Sequence, residues 1–288
     1  MIFLGTGGAQ LMPAAACECD VCRGIRTSAD TRNIRGRSAF QLDTKTLIDL
    51  GPDTNLVAGM NRVSFSRTEN VFFTHTDLDH FSVANALNFR KVLSPVSLTF
   101  WFPEDSLKHL AQWYETLTGI PGLASAANVS YIRDCLTVRG IKPYETFRVG
   151  DLCITGLVAN HAGIFKETAL NYLFERGGKR FLYATDTGLW CEENFAFISG
   201  KPLDYAVMEC THGPKPLKRD ASHLNFDFMA EMADRLTRVG AFTADTKLYA
   251  THINHKCGMM HAAFDAKMKE LFGPNAAAGY DGLDIGSF

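Results

Sequence analysis

Short runs of β-branched and aromatic residues recur along the chain, and turn-forming residues separate them. Runs of this length and composition are typical of β-strands. The pattern predicts ten strands, at residues 2–4, 39–42, 46–49, 71–74, 97–102, 152–158, 172–175, 181–185, 205–208 and 248–251. Between residues 118 and 145 the signals are weak, so a loop with one or two short strands is expected there.

Apolar residues at helical spacing predict four helices, at residues 83–92, 105–117, 226–239 and 259–271. Helices are therefore expected to be few and to begin late in the chain. Strands and helices do not alternate regularly, which favours two packed sheets flanked by helices over a doubly wound parallel sheet.

Composition and charge narrow the class of protein. Of 288 residues, 46% are hydrophobic and 21% are charged, as in a globular protein, and no linker-like stretch divides the chain. A single domain over residues 1–288 is expected. The formal charge of −2 gives no support for a nucleic-acid or membrane partner. With no apolar run near the ~20 residues of a membrane span and no leader-like start, a cytoplasmic protein is expected.

Four candidate metal ligands follow the strand predicted at 71–74 within six residues. These are His75, Asp77, Asp79 and His80. Imidazole nitrogen and carboxylate oxygen bind zinc, manganese and iron, and so dense a set is hard to bury without a cation. Three further candidates, His161, Asp186 and His252, lie at or just past the ends of other predicted strands. Together these residues predict a catalytic metal centre.

This series of residues resembles the metallo-β-lactamase superfamily, whose signature His-x-His-x-Asp-His is followed downstream by His, Asp and His. The resemblance covers nearly the whole chain and implies an α/β fold, the four-layer αββα sandwich, with one or two catalytic divalent ions (Mn, Zn or Fe). It implies a first ion held by His75, Asp77 and His161 and a second held by Asp79, His80 and His252. Asp186 would bridge the two ions, and Asp49 would orient a ligand imidazole.

The chain departs from that signature at Asp77, which stands in place of the second histidine. A carboxylate is a harder donor than imidazole, so the first ion is expected to bind more weakly, to be manganese or iron, or to be absent. In the last case His80, His252 and one carboxylate would resemble the two-histidine, one-carboxylate site of mononuclear iron enzymes.

Three thiols, from Cys17, Cys19 and Cys22, lie within six residues. They are close enough to hold one tetrahedral zinc ion with a fourth ligand from elsewhere. His255 is the expected fourth ligand, and Cys257 is the alternative. The thiols and the glycine-rich start at residues 5–10 resemble the PhnP and PqqB branch of the superfamily.

That resemblance implies a metal-dependent phosphodiesterase acting on a small cyclic phosphate or a related phosphate ester, by attack of a metal-bound hydroxide. Asp79 and His223 are the expected catalytic residues, His223 as the general acid. A basic loop is expected either to bind an anionic substrate or to be a solvated surface; its residues are Lys215, Lys218 and Arg219. The alternative is a PqqB-like iron oxygenase or hydroxylase of cofactor or natural-product biosynthesis. The substrate, the catalytic metal and the choice between monomer and homodimer stay open.

Overall fold

The computed structural model describes residues 1–82, 84–86, 98–118 and 136–288. Its first sheet has six strands in sequence order. These are β1 Ile2–Gly5, β2 Ala39–Asp43, β3 Thr46–Ile48, β4 Asn70–Phe72, β5 Leu98–Pro103 and β6 Leu136–Ile141. From β3 to β6 neighbouring strands are parallel, with Thr46 opposite Asn70 where β3 meets β4.

The second sheet has seven strands and runs from β13 back to β7. These are β7 Thr146–Val149, β8 Leu152–Ala162, β9 Thr168–Arg176, β10 Lys179–Ala184, β11 Tyr205–Glu209, β12 Lys247–Thr251 and β13 Ala276–Ala278. The pairs from β10 to β13 are parallel, whereas β7, β8, β9 and β10 pair antiparallel. Both sheets therefore contain parallel strands whose carboxyl ends can share one edge.

An aromatic core joins the inner faces of the two sheets. Phe40 of β2 stacks on Phe181 of β10 with ring centroids 5.2 Å apart, and Phe72 of β4 meets Phe174 of β9 edge to face at 5.5 Å. All four rings are fully buried. Because large rings bury more apolar area than any other side chains, this layer contributes strongly to the attraction between the sheets.

Helices cover the outer face of each sheet. They are α1 Asp20–Thr27, α2 Thr54–Met60, α3 Leu107–Thr118, α4 Glu192–Ile198, α5 Phe226–Arg238 and α6 His261–Phe272. Ala58 of α2 and Leu110 of α3 belong to the core on the first sheet, while Phe195, Met232 and Phe264 belong to the core on the second. The order of layers is thus αββα, as the resemblance implied.

The expectation that helices begin late in the chain was wrong, because α1 and α2 both precede β4. Helix α4 was also not predicted. Each of these three helices has only seven or eight residues, too short to show the repeated helical spacing on which such predictions depend. Strands β6, β7 and β13 also lie outside the ten predicted ranges, β6 within the stretch expected to hold short strands. The helix predicted at 83–92 lies mostly outside the described residues. Every described helix is too short or too polar to cross a bilayer.

Candidate metal centre

Apart from His161, the candidate ligands follow the carboxyl ends of strands that have a parallel neighbour, and so does Asp49. Asp49 follows β3, the segment from His75 to His80 follows β4, Asp186 follows β10 and His252 follows β12. The backbone φ angles of Asp49, Asp186 and His252 are +61°, +47° and +54°. Residues with a side chain rarely adopt this left-handed conformation, and where they do they cluster at functional sites.

A first group contains His75, Asp77 and His161, whose ligand atoms all lie within 4.8 Å of one another. Asp77 Oδ2 is 3.5 Å from His75 Nε2 and 3.3 Å from His161 Nε2. His161 lies near the end of β8 rather than just beyond it, because β8 continues to Ala162. The structure thus brings Asp77 between two histidines, where the signature has a third.

A second group contains Asp79, His80 and His252, again within 4.8 Å. Asp79 Oδ2 lies 3.5 Å from His80 Nε2 and 3.6 Å from His252 Nε2. Both histidines are buried, whereas the Asp79 side chain is 13% exposed. This group combines two imidazoles with one carboxylate.

Asp186 contacts both histidines of the second group and lies near His75 of the first. Its Oδ2 is 2.8 Å from His80 Nε2 and its Oδ1 is 3.3 Å from His252 Nε2, and it also forms a compact set with His75 and His80. A carboxylate in this position could serve as a ligand shared by two cations.

Several ligand atoms of these residues are buried and make no well-aligned hydrogen bond, although other ligand atoms lie close to them: His75 Nε2, His80 Nε2, His252 Nε2 and Asp186 Oδ2. Buried polar atoms without partners are rare in folded proteins, and each needs an explanation such as an ion. Imidazole Nε2 and carboxylate oxygen form a donor set that zinc, manganese and iron accept. The residues present therefore fit a divalent cation.

The hydrogen bonds at Nδ1 leave these Nε2 atoms free. His80 Nδ1 lies 2.7 Å from Asp49 Oδ2, so its proton is donated to that carboxylate. Thr74 Oγ1 donates to Asp49 at 3.0 Å, and it therefore accepts from His75 Nδ1 at 2.9 Å. Asp49 thus holds two imidazoles with Nε2 facing the site, one directly and one through Thr74.

The charges of the site also favour a cation. Burial would raise the pKa of Asp79, but the neighbouring imidazoles of His80 and His252 outweigh it and hold that pKa well below its usual range. Burial would lower the pKa of His80, but the carboxylates of Asp186, Asp79 and Asp49 outweigh it and raise that pKa well above its usual value. The carboxylates are therefore ionised and the imidazole is protonated, and a cation bound at Nε2 would replace that proton in balancing the buried negative charge.

Glu209, which the sequence reasoning missed, organises the opposite side of the site. Its buried carboxylate accepts from His223 Nδ1 at 2.8 Å and from the backbone N–H of Thr187, beside Asp186, at 2.7 Å. It also accepts from Thr211 Oγ1, which in turn accepts from His252 Nδ1 at 2.8 Å. Glu209 ends β11, so its place at a strand end was the available signal.

His223 lies beside the ligand groups. Its Nδ1 is 3.8 Å from Asp186 Oδ1, and its ring centroid is 5.3 Å from that of His161. Burial would lower the pKa of His223, but the Glu209 carboxylate outweighs this effect and raises it to about 9. His223 therefore carries a proton near neutral pH, as a general acid must.

The thiols of Cys17, Cys19 and Cys22 form a separate compact group with His255, all ligand atoms lying within 4.8 Å of one another. His255 Nδ1 is 3.6 Å from both Cys17 Sγ and Cys19 Sγ. A hydrogen bond from the Cys22 backbone N–H lowers the pKa of Cys19 to about 6, which favours the thiolate that binds metal. Cys257 is outside the group, since its Sγ contacts the backbone of Met259.

The side chains of the basic loop, Lys215, Lys218 and Arg219, are exposed. Arg219 forms two hydrogen bonds with Glu231 of α5, at 2.8 and 2.6 Å. The described contacts of Lys215 and Lys218 do not include a residue of the two ligand groups. Just before this loop, the rings of His212 and His223 lie 5.9 Å apart.

A family model described as the beta-lactamase superfamily domain matches residues 44–253. A search of the curated proteins finds no match. Among solved structures, a new diphosphatase from the PhnP family is 19% identical with a TM-score of 0.68, covering 100% of this chain and 97% of that one. Zinc-bound PqqB from Methylobacterium extorquens is 18% identical with a TM-score of 0.65, covering 98% of each chain. YhfI from Bacillus subtilis, a metallo-beta-lactamase fold protein, is 18% identical with a TM-score of 0.67, covering 98% and 96%. At these identities the likeness concerns the fold.

Proposed function

The chain belongs to the family of beta-lactamase superfamily domains. On that premise we propose that it is a metal-dependent hydrolase of small phosphate esters. A phosphodiester, such as a cyclic phosphate, is the proposed substrate class. The diphosphatase of similar fold supports chemistry at phosphorus. The further support comes from the residues of the site itself.

One observation carries the proposal: three buried imidazoles, drawn from both ligand groups, turn Nε2 atoms that make no well-aligned hydrogen bond towards one carboxylate. His75, His80 and His252 supply the imidazoles, and Asp186 supplies the carboxylate. A pair of cations held by the two groups would lower the pKa of a water and offset the charge of a phosphate. The fixed Nδ1 bonds to Asp49, Thr74 and Thr211 mean that the ligands need little reorganisation to bind.

His223 is the proposed general acid for the departing alkoxide. Glu209 holds its Nδ1 at 2.8 Å, which leaves Nε2 as the atom that can deliver a proton. Because Glu209 is fully buried, its charge acts on the imidazole with little screening by solvent. Asp79 is proposed to act as a ligand of the second cation.

The thiol group with His255 is proposed to bind a structural zinc ion. Four N and S ligands are typical of closed structural zinc sites. Since His255 is three residues from His252 along the chain, an ion there would also fix the segment that carries a catalytic ligand.

The proposal is tested with the full chain supplied with Mn, Zn or Fe, using bis(p-nitrophenyl) phosphate and a ribose cyclic phosphate as substrates. Wild-type protein should hydrolyse at least one of them, and Asp186→Asn should lower kcat by about 1000-fold or more because both cations lose a ligand. Asp234→Asn, in an exposed ion pair on α5, is the matched control and should keep full activity. Two catalytic ions per chain without any ester hydrolysis would contradict the proposal.

A mononuclear iron oxygenase is the second candidate, and one observation favours it. Asp79, His80 and His252 form a two-histidine, one-carboxylate set without help from the first group, and such sets are typical of non-haem iron enzymes. This candidate requires one catalytic iron per chain and oxygen consumption with a substrate. Two catalytic ions and diesterase activity would exclude it.

A further inference from the structure

Glu167 is a buried carboxylate outside the ligand groups. It lies in the hairpin between β8 and β9 and is 2% exposed. None of the described Lys, Arg or His side chains forms an ion pair with it. Its hydrogen bonds come instead from two backbone N–H groups, of Thr76 and Phe165, and from the Thr76 hydroxyl. Burying a carboxylate without a cation costs free energy, so its donors must be closely arranged around it.

These donors come from two different segments. Glu167 Oε1 accepts from the backbone N–H of Thr76 at 2.7 Å and from the Thr76 hydroxyl. Its Oε2 accepts from the backbone N–H of Phe165 at 3.1 Å. One side chain therefore joins the segment after β4 to the hairpin after β8.

The two joined segments carry the first ligand group. Thr76 stands between His75 and Asp77, and the hairpin begins at Gly163, two residues after His161. A hydrogen bond to the Thr76 N–H fixes the peptide that links His75 to its neighbour, and so restricts where Asp77 can lie.

The hairpin is built to admit this side chain. A Cβ added at Gly163 would lie 1.8 Å from Glu167 Oε1, closer than any real contact. The glycine therefore leaves the space that the carboxylate fills. Gly163 also accepts from the Lys166 N–H at 2.8 Å, so the turn is closed around Glu167.

We propose that Glu167 is a positioning residue that holds Asp77 and His75 at the right separation from His161 to bind the first catalytic ion. This inference rests on the ligand groups proposed above. It explains how a carboxylate, shorter than the histidine of the signature, is kept in reach of an ion, since the whole segment is anchored to the hairpin. The second ligand group and the thiol group do not contact Glu167.

The test compares Glu167→Gln, Gly163→Ala and Asp105→Ala as full-length proteins. In Glu167→Gln the side-chain oxygen can still accept from Thr76, but its NH2 group would face the Phe165 N–H, and two donors cannot form a hydrogen bond. In Gly163→Ala the added methyl group displaces the carboxylate. Asp105 accepts from the backbone N–H of Thr168, directly after Glu167, at 2.9 Å, and is the matched control. Cobalt is titrated against a chelator and followed by its visible spectrum, with the melting temperature measured for every variant.

We expect Glu167→Gln and Gly163→Ala to weaken binding of one catalytic cobalt ion by about 10- to 100-fold, to change its spectrum, and to leave the second catalytic ion unaffected. Asp105→Ala should behave as wild type. Equal binding of both ions in all variants would overturn the proposal, and so would a loss that Asp105→Ala shares. Wild-type protein that binds no ion at the first group would also overturn it. Because binding is the readout, these outcomes are distinct from a failure to hydrolyse phosphate esters.

Discussion

The carboxylate of Asp77 lies 3.3 Å from Nε2 of His161, in the place where the signature of the superfamily has an imidazole. The same carboxylate is 3.5 Å from His75. The substitution therefore changes the donor atom without removing the residue from the group, and the first site has two nitrogen donors and one additional negative charge.

Changing Asp77 should alter the binding of the first ion and leave the binding of the second unchanged. Asp77→Ala removes one donor, so we expect at least ~100-fold weaker binding of one catalytic ion. Asp77→His replaces a hard oxygen with imidazole and should raise the preference of that site for zinc over manganese. Metal content after dialysis against a chelator measures both effects.

The control for Asp77 is its neighbour Leu78, whose side chain is 56% exposed. Leu78→Ala should bind both catalytic ions as wild type does. If Asp77→Ala also retains both ions, Asp77 is not a ligand and the first group is wrongly assigned.

Replacing His223 should have an effect that depends on the leaving group. An alkoxide needs a proton as it departs, whereas p-nitrophenolate does not, so His223→Ala should lower kcat about 100- to 10,000-fold for an alkyl ester and far less for a p-nitrophenyl ester. Glu209 raises the pKa of His223, so the acid loses its proton only on the alkaline side. The alkaline fall in wild-type kcat for the alkyl ester should therefore be missing in His223→Ala. A uniform loss across both esters would exclude general-acid catalysis by His223.

The zinc proposal predicts different results for replacing His255 and for replacing Cys257. His255→Gln should lower the zinc content by one ion per chain and the melting temperature by roughly 10 °C, because a bound structural zinc ion contributes directly to folding. Cys257→Ser should keep the zinc, since its Sγ contacts Met259 instead. The reverse result would show that Cys257 is the fourth ligand.

The sequence indicated which candidate ligands lie together better than it indicated the contacts that fix them. Asp186 and His252 could be placed together because each follows a strand, and parallel strands end at a shared edge. Glu209 was missed although it also ends a strand, because a glutamate within an apolar run carries no spacing pattern of its own. Glu167 left no signal at all, since its partner Thr76 is 91 residues away along the chain and their contact forms only when the segment after β4 meets the hairpin after β8.

The same distinction applies to the fold. Phe40 and Phe72 lie in short apolar and β-branched runs, so the strands β2 and β4 could be predicted from the local sequence. The two sheets also form the expected αββα layers. The strand β13 consists of three alanines, which have no strand preference. Its place comes from pairing with β12 and from packing against α6, and both are tertiary effects.

The buried pair of Arg35 and His261 predicts a pH effect on stability. His261 is 4% exposed, and its Nδ1 lies 3.0 Å from Arg35 Nη2, so the neutral imidazole accepts from the guanidinium. Burial, and then the charge of Arg35, lower the pKa of His261 to about 4. The unfolded chain has a pKa of about 6.5, so this stability is complete above about pH 6.5 and is lost as the pH falls towards 4. At pH 5 the loss from this group should be about 2 kcal/mol.

Urea unfolding at pH 7 and pH 5 should therefore show a smaller loss of unfolding free energy at pH 5 in His261→Gln than in wild type. Lys267→Gln, on the same helix in an exposed ion pair, should follow wild type. Because burial raises the pKa of Asp281 to about 6 and so gives a slope of opposite sign, the difference between the variants is the informative quantity. Parallel losses in His261→Gln and wild type would show that Arg35 does not keep this imidazole neutral.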